Sequence, residues 1–144
     1  MPGISNKPLY TISTAAELLG ITVHTLRMYE REGLILPFKK ESNQRLYSDQ
    51  DIDRLRCIRQ SISQDKMTMS GIKKVLSLIP CWAIIECSKK DRKNCDAYNG
   101  YDQPCWTFVH KNNICELKEC RECDVYKSFG KCDSIKEKLK TLLS

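Results

Sequence analysis

Nine cysteines occur in this chain of 144 residues, and eight fall in one stretch, at positions 81, 87, 95, 105, 115, 120, 123 and 132. A thiolate is at once a nucleophile, a redox group and a soft metal ligand. The stretch is poor in aliphatic residues and holds both tryptophans, Trp82 and Trp106, each directly after a cysteine. It therefore has little apolar area to bury. At about 25 cal/mol per Å², that burial does not offset the roughly 1–2 kcal/mol per residue needed to order the backbone. The segment needs a staple, and thiolate–metal bonds are the kind this composition supplies. The opening MPGISNKPLY lacks the apolar core of a secretory signal. A cytoplasmic location is expected, where thiols stay reduced and clustered cysteines serve metals or redox chemistry.

The spacing sharpens this. Cys115-x4-Cys120-x2-Cys123 is the tightest unit, and a C-x2-C turn can place two sulfurs on one ion. C-x4-C-x2-C is also the spacing of plant-type ferredoxins, in which a distant fourth cysteine completes a [2Fe–2S] site. Cys132, Cys105 or Cys81 would be that fourth ligand. Eight thiolates also suffice for two four-cysteine zinc sites. Zinc sites, however, bring two close pairs to each ion, and only one C-x2-C is present. The reading tilts to an iron–sulfur centre over zinc, with a metal-free thiol sensor or disulfides left open. All eight of Cys81, Cys87, Cys95, Cys105, Cys115, Cys120, Cys123 and Cys132 are candidate ligands. His110 can replace a thiolate, although a lone histidine is more often a surface residue. Both tryptophans are expected to pack over the sulfurs, and Lys89, Lys90, Arg92 and Lys93 to form a solvated loop, with softening of thiolate charge or contact with DNA as alternatives. The stretch, with its Cys-Trp pairs and Cys120-Arg121-Glu122-Cys123-Asp124-Val125-Tyr126, resembles small two-CW-type cysteine-rich domains, a resemblance that names no metal.

Before the cysteines the pattern is helical. Ser13 or Thr14 begins a first helix, with Thr14-x-x-Glu17 as a capping box and Gly20 as its stop. Only Ile21 separates that glycine from Thr22, the cap of a second helix running to about Arg31, so the two helices cross steeply. Val23 and Leu26 face inward; His24, Thr25, Arg27 and Met28 face out. Leu34-Ile35-Leu36 and Arg45-Leu46-Tyr47 are expected as hairpin arms around a polar tip that includes Lys39 and Lys40. Ser48 and Asp51 cap a third helix with the stripe Ile52, Leu55, Ile58 and Ile62. Cys57 within it reads as a small core or boundary residue. Thr68 or Ser70 opens a fourth helix ending at Pro80.

This layout is a winged helix-turn-helix, in which the second helix of the pair offers its first residues to the major groove. Thr22, His24, Thr25 and Arg27 are the candidate base or phosphate contacts, with the Tyr29 hydroxyl, Lys39, Lys40 and Arg45 suited to phosphates. Residues 1–80 carry 12 Lys/Arg against 8 Asp/Glu, and 81–144 carry 12 against 10, within a net charge of +6. That basic excess is compatible with nucleic acid but also with many inert domains.

The run Thr25-Leu26-Arg27-Met28-Tyr29-Glu30-Arg31-Glu32-Gly33-Leu34, then Pro37, then Asn43-Gln44-Arg45-Leu46-Tyr47-Ser48 resembles the signature of MerR-type transcription regulators, and the HspR/GlnR-like branch most closely. The resemblance covers about residues 9–79. It implies a homodimer on two-fold promoter DNA, with RNA polymerase as a further partner, and it assigns DNA contacts to Arg27, Tyr29, Arg45 and Tyr47. Many members continue into a long dimer helix; here Pro80 and the cysteines stand in its place.

The expected architecture is mainly α. It has a winged helix-turn-helix domain over 1–80, a metal-stapled cysteine-rich domain over 81–132 and a short C-terminal helix over 133–144. The function expected is a DNA-binding regulator that senses redox state or metal, or one whose zinc is purely structural. An electron-transfer or interaction module is the remaining alternative. No enzyme is expected: there is no acid/base pair or nucleotide loop, and His24 and His110 are the only histidines. No run is apolar over the roughly 18 residues of a membrane span.

Overall fold

Thr11 starts the first helix. Its hydroxyl accepts the Thr14 N–H at 3.3 Å, so α1 runs Ile12–Leu19 and begins ahead of Ser13. The expected Thr14–Glu17 capping box does not form, because Thr14 already lies in the first turn and its hydroxyl accepts from the Thr11 hydroxyl at 3.1 Å. Gly20 ends α1 with φ of 67°, its N–H reaching the carbonyls of Ala16 and Glu17. Thr22 then caps α2, Val23–Arg31, accepting the Thr25 N–H at 3.0 Å.

This computed structural model describes residues 7–85, 87–100, 102–108, 110, 111, 113–116, 119–128, 136, 140, 141 and 143. These fall into two compact units, one ending at Lys66 and one beginning at Met67.

In the first unit a three-stranded antiparallel sheet follows the order β1–β3–β2, with β1 at Tyr10–Thr11, β2 at Phe38–Lys39 and β3 at Arg45–Tyr47. Tyr10 lies opposite Tyr47, Phe38 opposite Leu46 and Lys39 opposite Arg45. The expected arm Leu34–Leu36 is not a strand. Leu34 and Ile35 are both fully buried, and Pro37 removes a donor that a ladder needs, so pairing starts only at Phe38. At the hairpin tip the Asn43 N–H bonds the Lys40 carbonyl at 2.8 Å. Asn43 itself takes φ of 66°, a conformation asparagine tolerates better than most residues.

Helix α3, Asp49–Ser63, opens with the expected capping box: Ser48 N–H to Asp51 Oδ2 at 2.8 Å and Asp51 N–H to Ser48 Oγ at 3.1 Å. Tyr10 donates to Asp49 Oδ1 at 2.6 Å, tying β1 to the start of α3. Ala15 and Ala16 of α1 are buried, as are Leu26 and Tyr29 of α2, Tyr47 of β3, and Ile52, Leu55 and Ile58 of α3. Each large side chain of this core contributes about 1.5–3 kcal/mol of burial. Cys57, half-buried on α3, is disulfide-bonded.

In the second unit, Thr68 caps α4, Met69–Ser77. The sequence placed the domain boundary at Pro80, whereas the change of compact unit comes before α4. Beyond Pro80 come α5 (Cys81–Ile84), α6 (Lys89–Lys93), α7 (Asp96–Asn99), 3₁₀ turns at Cys105–Thr107 and Cys120–Glu122, and α8 (Asp124–Ser128). A long dimer helix is not found there among the described residues. The buried apolar side chains of this unit are few: Ile72, Ile79, Trp106, Val125 and Tyr126. Of the expected C-terminal helix, Lys136, Lys140, Thr141 and Leu143 are helical, and the rest lies outside the described residues, as does Cys132. No helix among the described residues is long and apolar enough to cross a membrane.

Candidate functional site

Two separate sets of residues require description, one in each unit. In the first, α2 exposes His24, Arg27 and Arg31, positions that follow one another along one helical stripe. Thr22 is exposed and Thr25 half-buried, their hydroxyls 2.9 Å apart at the start of the helix. On the hairpin, Lys39 and Lys40 are exposed. Glu30 of α2 joins the two pieces: it pairs with Arg45 of β3, with Nε 2.8 Å from Oε2, and approaches the Lys39 ammonium at 4.0 Å. The sequence did not single out Glu30 for this role, because its partners lie 9 and 15 positions away. Arg45, expected on a phosphate, is engaged by that carboxylate.

Two of the residues expected to contact DNA are buried here. Tyr29 is 2% exposed, and its hydroxyl accepts from Arg59 Nη1 at 3.4 Å. Tyr47 is wholly buried, and its hydroxyl has no hydrogen-bond partner among the described residues. Burial, and then the charge of Glu30, pushes the Tyr47 phenol far above its usual range. Both rings are core residues in this conformation: at their positions on α2 and β3, the aromatic surface gains more from burial than from water.

In the second unit a small cavity of about 40 Å³ is lined by Cys81, Cys87, Cys95, Cys105, Cys115, Cys120 and Cys123. Every described cysteine of the stretch thus borders one space. Trp106 and Tyr126 line it as well, packed edge to face with ring centres 5.0 Å apart. The expectation for tryptophan is met by Trp106. Trp82 is 38% exposed and instead stacks against Tyr98, which lines the cavity. A water needs about 10–15 Å³ on the same measure, so the space has room for small groups between the sulfurs. Among the described residues no three His, Cys, Asp or Glu side chains converge closely enough to hold a single ion.

Burial and mutual repulsion favour the neutral form of these thiols. Burial first, and then the neighbouring Cys95, Cys115 and Cys87, pushes the Cys81 thiol up to about 11. Cys105 is driven further the same way by burial and by Cys81, Cys123, Cys120 and Cys115. Burial also raises Cys120, helped by Cys123 and Glu119. Crowded sulfurs cannot ionise together without a counter-charge, and a bound metal ion supplies one strong enough to deprotonate its ligands. Arg92, expected in a solvated loop, instead borders the cavity with Cys87: its guanidinium lies 5.8 Å from the centre of the Tyr98 ring, and the Cys87 sulfur raises its pKa. The sequence allowed the four neighbouring basic residues to soften thiolate charge but did not single out Arg92 among them.

A family model described as MerR HTH family regulatory protein matches residues 10–79. Residues 10–79 are a MerR-family helix-turn-helix domain. Over 71 residues the chain is 39% identical to a protein named HspR from Streptomyces coelicolor, covering 49% of this chain and 47% of that one. It is 35% identical over 69 residues to the HTH-type transcriptional regulator GlnR of Bacillus anthracis, covering 48% and 53%. The chain spans about half the length of these curated relatives. A third relative, the HTH-type transcriptional regulator MlrA of Escherichia coli, is 31% identical over 114 residues, covering 76% of this chain and 41% of that one. That length carries the likeness past the MerR domain into the cysteine stretch. Within the MerR domain, α1 and α2 are the helix-turn-helix and the β2–β3 hairpin is the wing.

Proposed function

We propose that this chain is a sequence-specific regulator that binds double-stranded promoter DNA as a homodimer through its MerR domain. The cysteine unit holds a metal centre whose state alters that binding. The observation that carries the second half is the single cavity bordered by all seven described cysteines. The first half rests on the MerR match together with exposed Arg27, His24, Lys39 and Lys40 on the second helix and the wing.

An iron–sulfur centre is favoured over zinc. Four thiolates about 2.3 Å from one zinc ion stand roughly 3.8 Å apart, and no such convergence is present among the described residues. A cluster has volume of its own and lets its ligands stand further apart. When bound, it supplies a one-electron redox couple. Cys81, Cys87, Cys95, Cys105, Cys115, Cys120 and Cys123, all free thiols, are the candidate ligands. Trp106 and Tyr126 exclude water, and Arg92 offsets thiolate charge at Cys87. RNA polymerase is a further proposed partner, since MerR regulators act at promoters.

The test is anaerobic purification with iron, sulfide and zinc analysis and a visible spectrum, followed by promoter binding of the loaded and the oxidised protein. A brown protein whose DNA affinity changes on oxidation is expected. A colourless zinc protein indifferent to mild oxidants would leave the metal structural. Binding to DNA that does not weaken with salt would remove the DNA reading, because phosphate contacts release counterions.

A further inference from the structure

His110 lines the cysteine cavity and is fixed at both ring nitrogens. Nε2 lies 3.0 Å from the carbonyl oxygen of Cys105. A carbonyl only accepts, so Nε2 carries the proton and donates it. Nδ1 is then the nitrogen with the lone pair, and it stands 4.0 Å from Cys95 Sγ. This arrangement is the one that metal-ligating histidines use: the far N–H is given to a backbone carbonyl, which sets the tautomer and aims the other nitrogen. The sulfur it faces is also held, since Cys95 Sγ accepts the Tyr98 N–H at 3.4 Å. Nitrogen and sulfur donors on one tetrahedral metal atom, at about 2.0–2.1 and 2.3 Å from it, stand roughly 3.6 Å apart. The observed separation is close to that.

We infer that His110 is a ligand of the centre, its Nδ1 binding the same metal atom as Cys95 Sγ. The inference rests on the proposal that the cavity holds a metal. The centre then has mixed cysteine and histidine ligation, which a count of cysteines does not reveal. A neutral imidazole in place of a thiolate removes one negative charge from the metal's surroundings. That favours the reduced state, as in clusters where histidine replaces cysteine.

X-ray absorption at the edge of whichever metal co-purifies tests this on the full chain, since imidazole rings give a multiple-scattering signature that solvent oxygen lacks. The expected result is an imidazole signature in the wild type and its disappearance, with an added sulfur, in His110→Cys. If the metal is iron, His110→Cys also shifts the reduction potential to a more negative value. Retention of metal with sulfur-only coordination in the wild type overturns the inference and leaves the metal centre standing. Absence of any bound metal in protein purified anaerobically overturns both. The wild-type spectrum decides the matter without any variant.

Discussion

The carboxylate of Glu30, on the second helix of the MerR domain, grips the guanidinium of Arg45, on the wing strand β3. The pair is only partly exposed, with side-chain exposures of 14% for Glu30 and 33% for Arg45. It links the second helix to the wing, the two pieces proposed to meet DNA together. A double-mutant cycle of Glu30→Ala and Arg45→Ala, read by promoter binding, should show a coupling of about 1 kcal/mol. Strict additivity would mean that the clamp does not position the wing.

Lys40, at the exposed wing tip, is expected to contact a phosphate. Lys40→Ala should weaken binding to all sequences alike and lower the slope of log K against log salt by about 0.9. Arg27→Ala should weaken binding and also relax preference among operators. Fluorescence anisotropy over a salt series on specific and scrambled duplexes separates the two effects.

Tyr47 carries a buried hydroxyl that lacks a hydrogen-bond partner among the described residues. Tyr47→Phe should therefore leave thermal stability near pH 7 unchanged or raised by up to about 1 kcal/mol. It should leave DNA affinity intact, unlike loss of a phosphate contact. The pH dependence follows from the raised phenol: the folded state holds the proton more tightly than the unfolded one. Stability is thus fully present below about pH 10, the ordinary tyrosine value, and falls as pH rises above it. The phenylalanine variant should lose part of this alkaline destabilisation in denaturant titrations.

The Ser48–Asp51 box is buried and closes both bonds. Ser48→Ala should cost about 1 kcal/mol, seen as a lower melting temperature of the MerR domain. A change within the error of the measurement would mean that neighbouring groups take over the Asp51 N–H.

Cys105 is the cavity thiol most strongly raised by burial and by its neighbours. Cys105→Ser should lower metal content per chain and the melting temperature of the cysteine unit, and chelation of the wild type should do the same. The MerR domain should stay folded in both, because it has its own core, while promoter affinity changes with loss of the centre.

Much of the MerR domain was legible in the chain because its signals are local. Gly20, Thr22 and the Ser48–Asp51 box act within four residues of themselves, and the structure places them as read. Failures came where tertiary burial overrode local pattern. Thr11 took the cap from Thr14 because β1 already holds it extended. Leu34 and Ile35 left the hairpin for the core. Tyr29 and Tyr47, assigned to DNA by resemblance, are buried, because an aromatic ring gains more by burial than its hydroxyl gains at the surface.

The cysteine unit divides in the same way. Spacing alone identified eight candidate thiolates and called for a staple, since thiol chemistry and low apolar content are properties of residue type. Which of them share one space, that Arg92 reaches Cys87, and that His110 offers Nδ1 beside Cys95 were decided by the fold. These are pairs separated by 5 to 15 positions with no repeating period between them. Without a period, sequence carries the donors but not their meeting point; only the folded backbone, with the Cys105 carbonyl holding His110, brings them together.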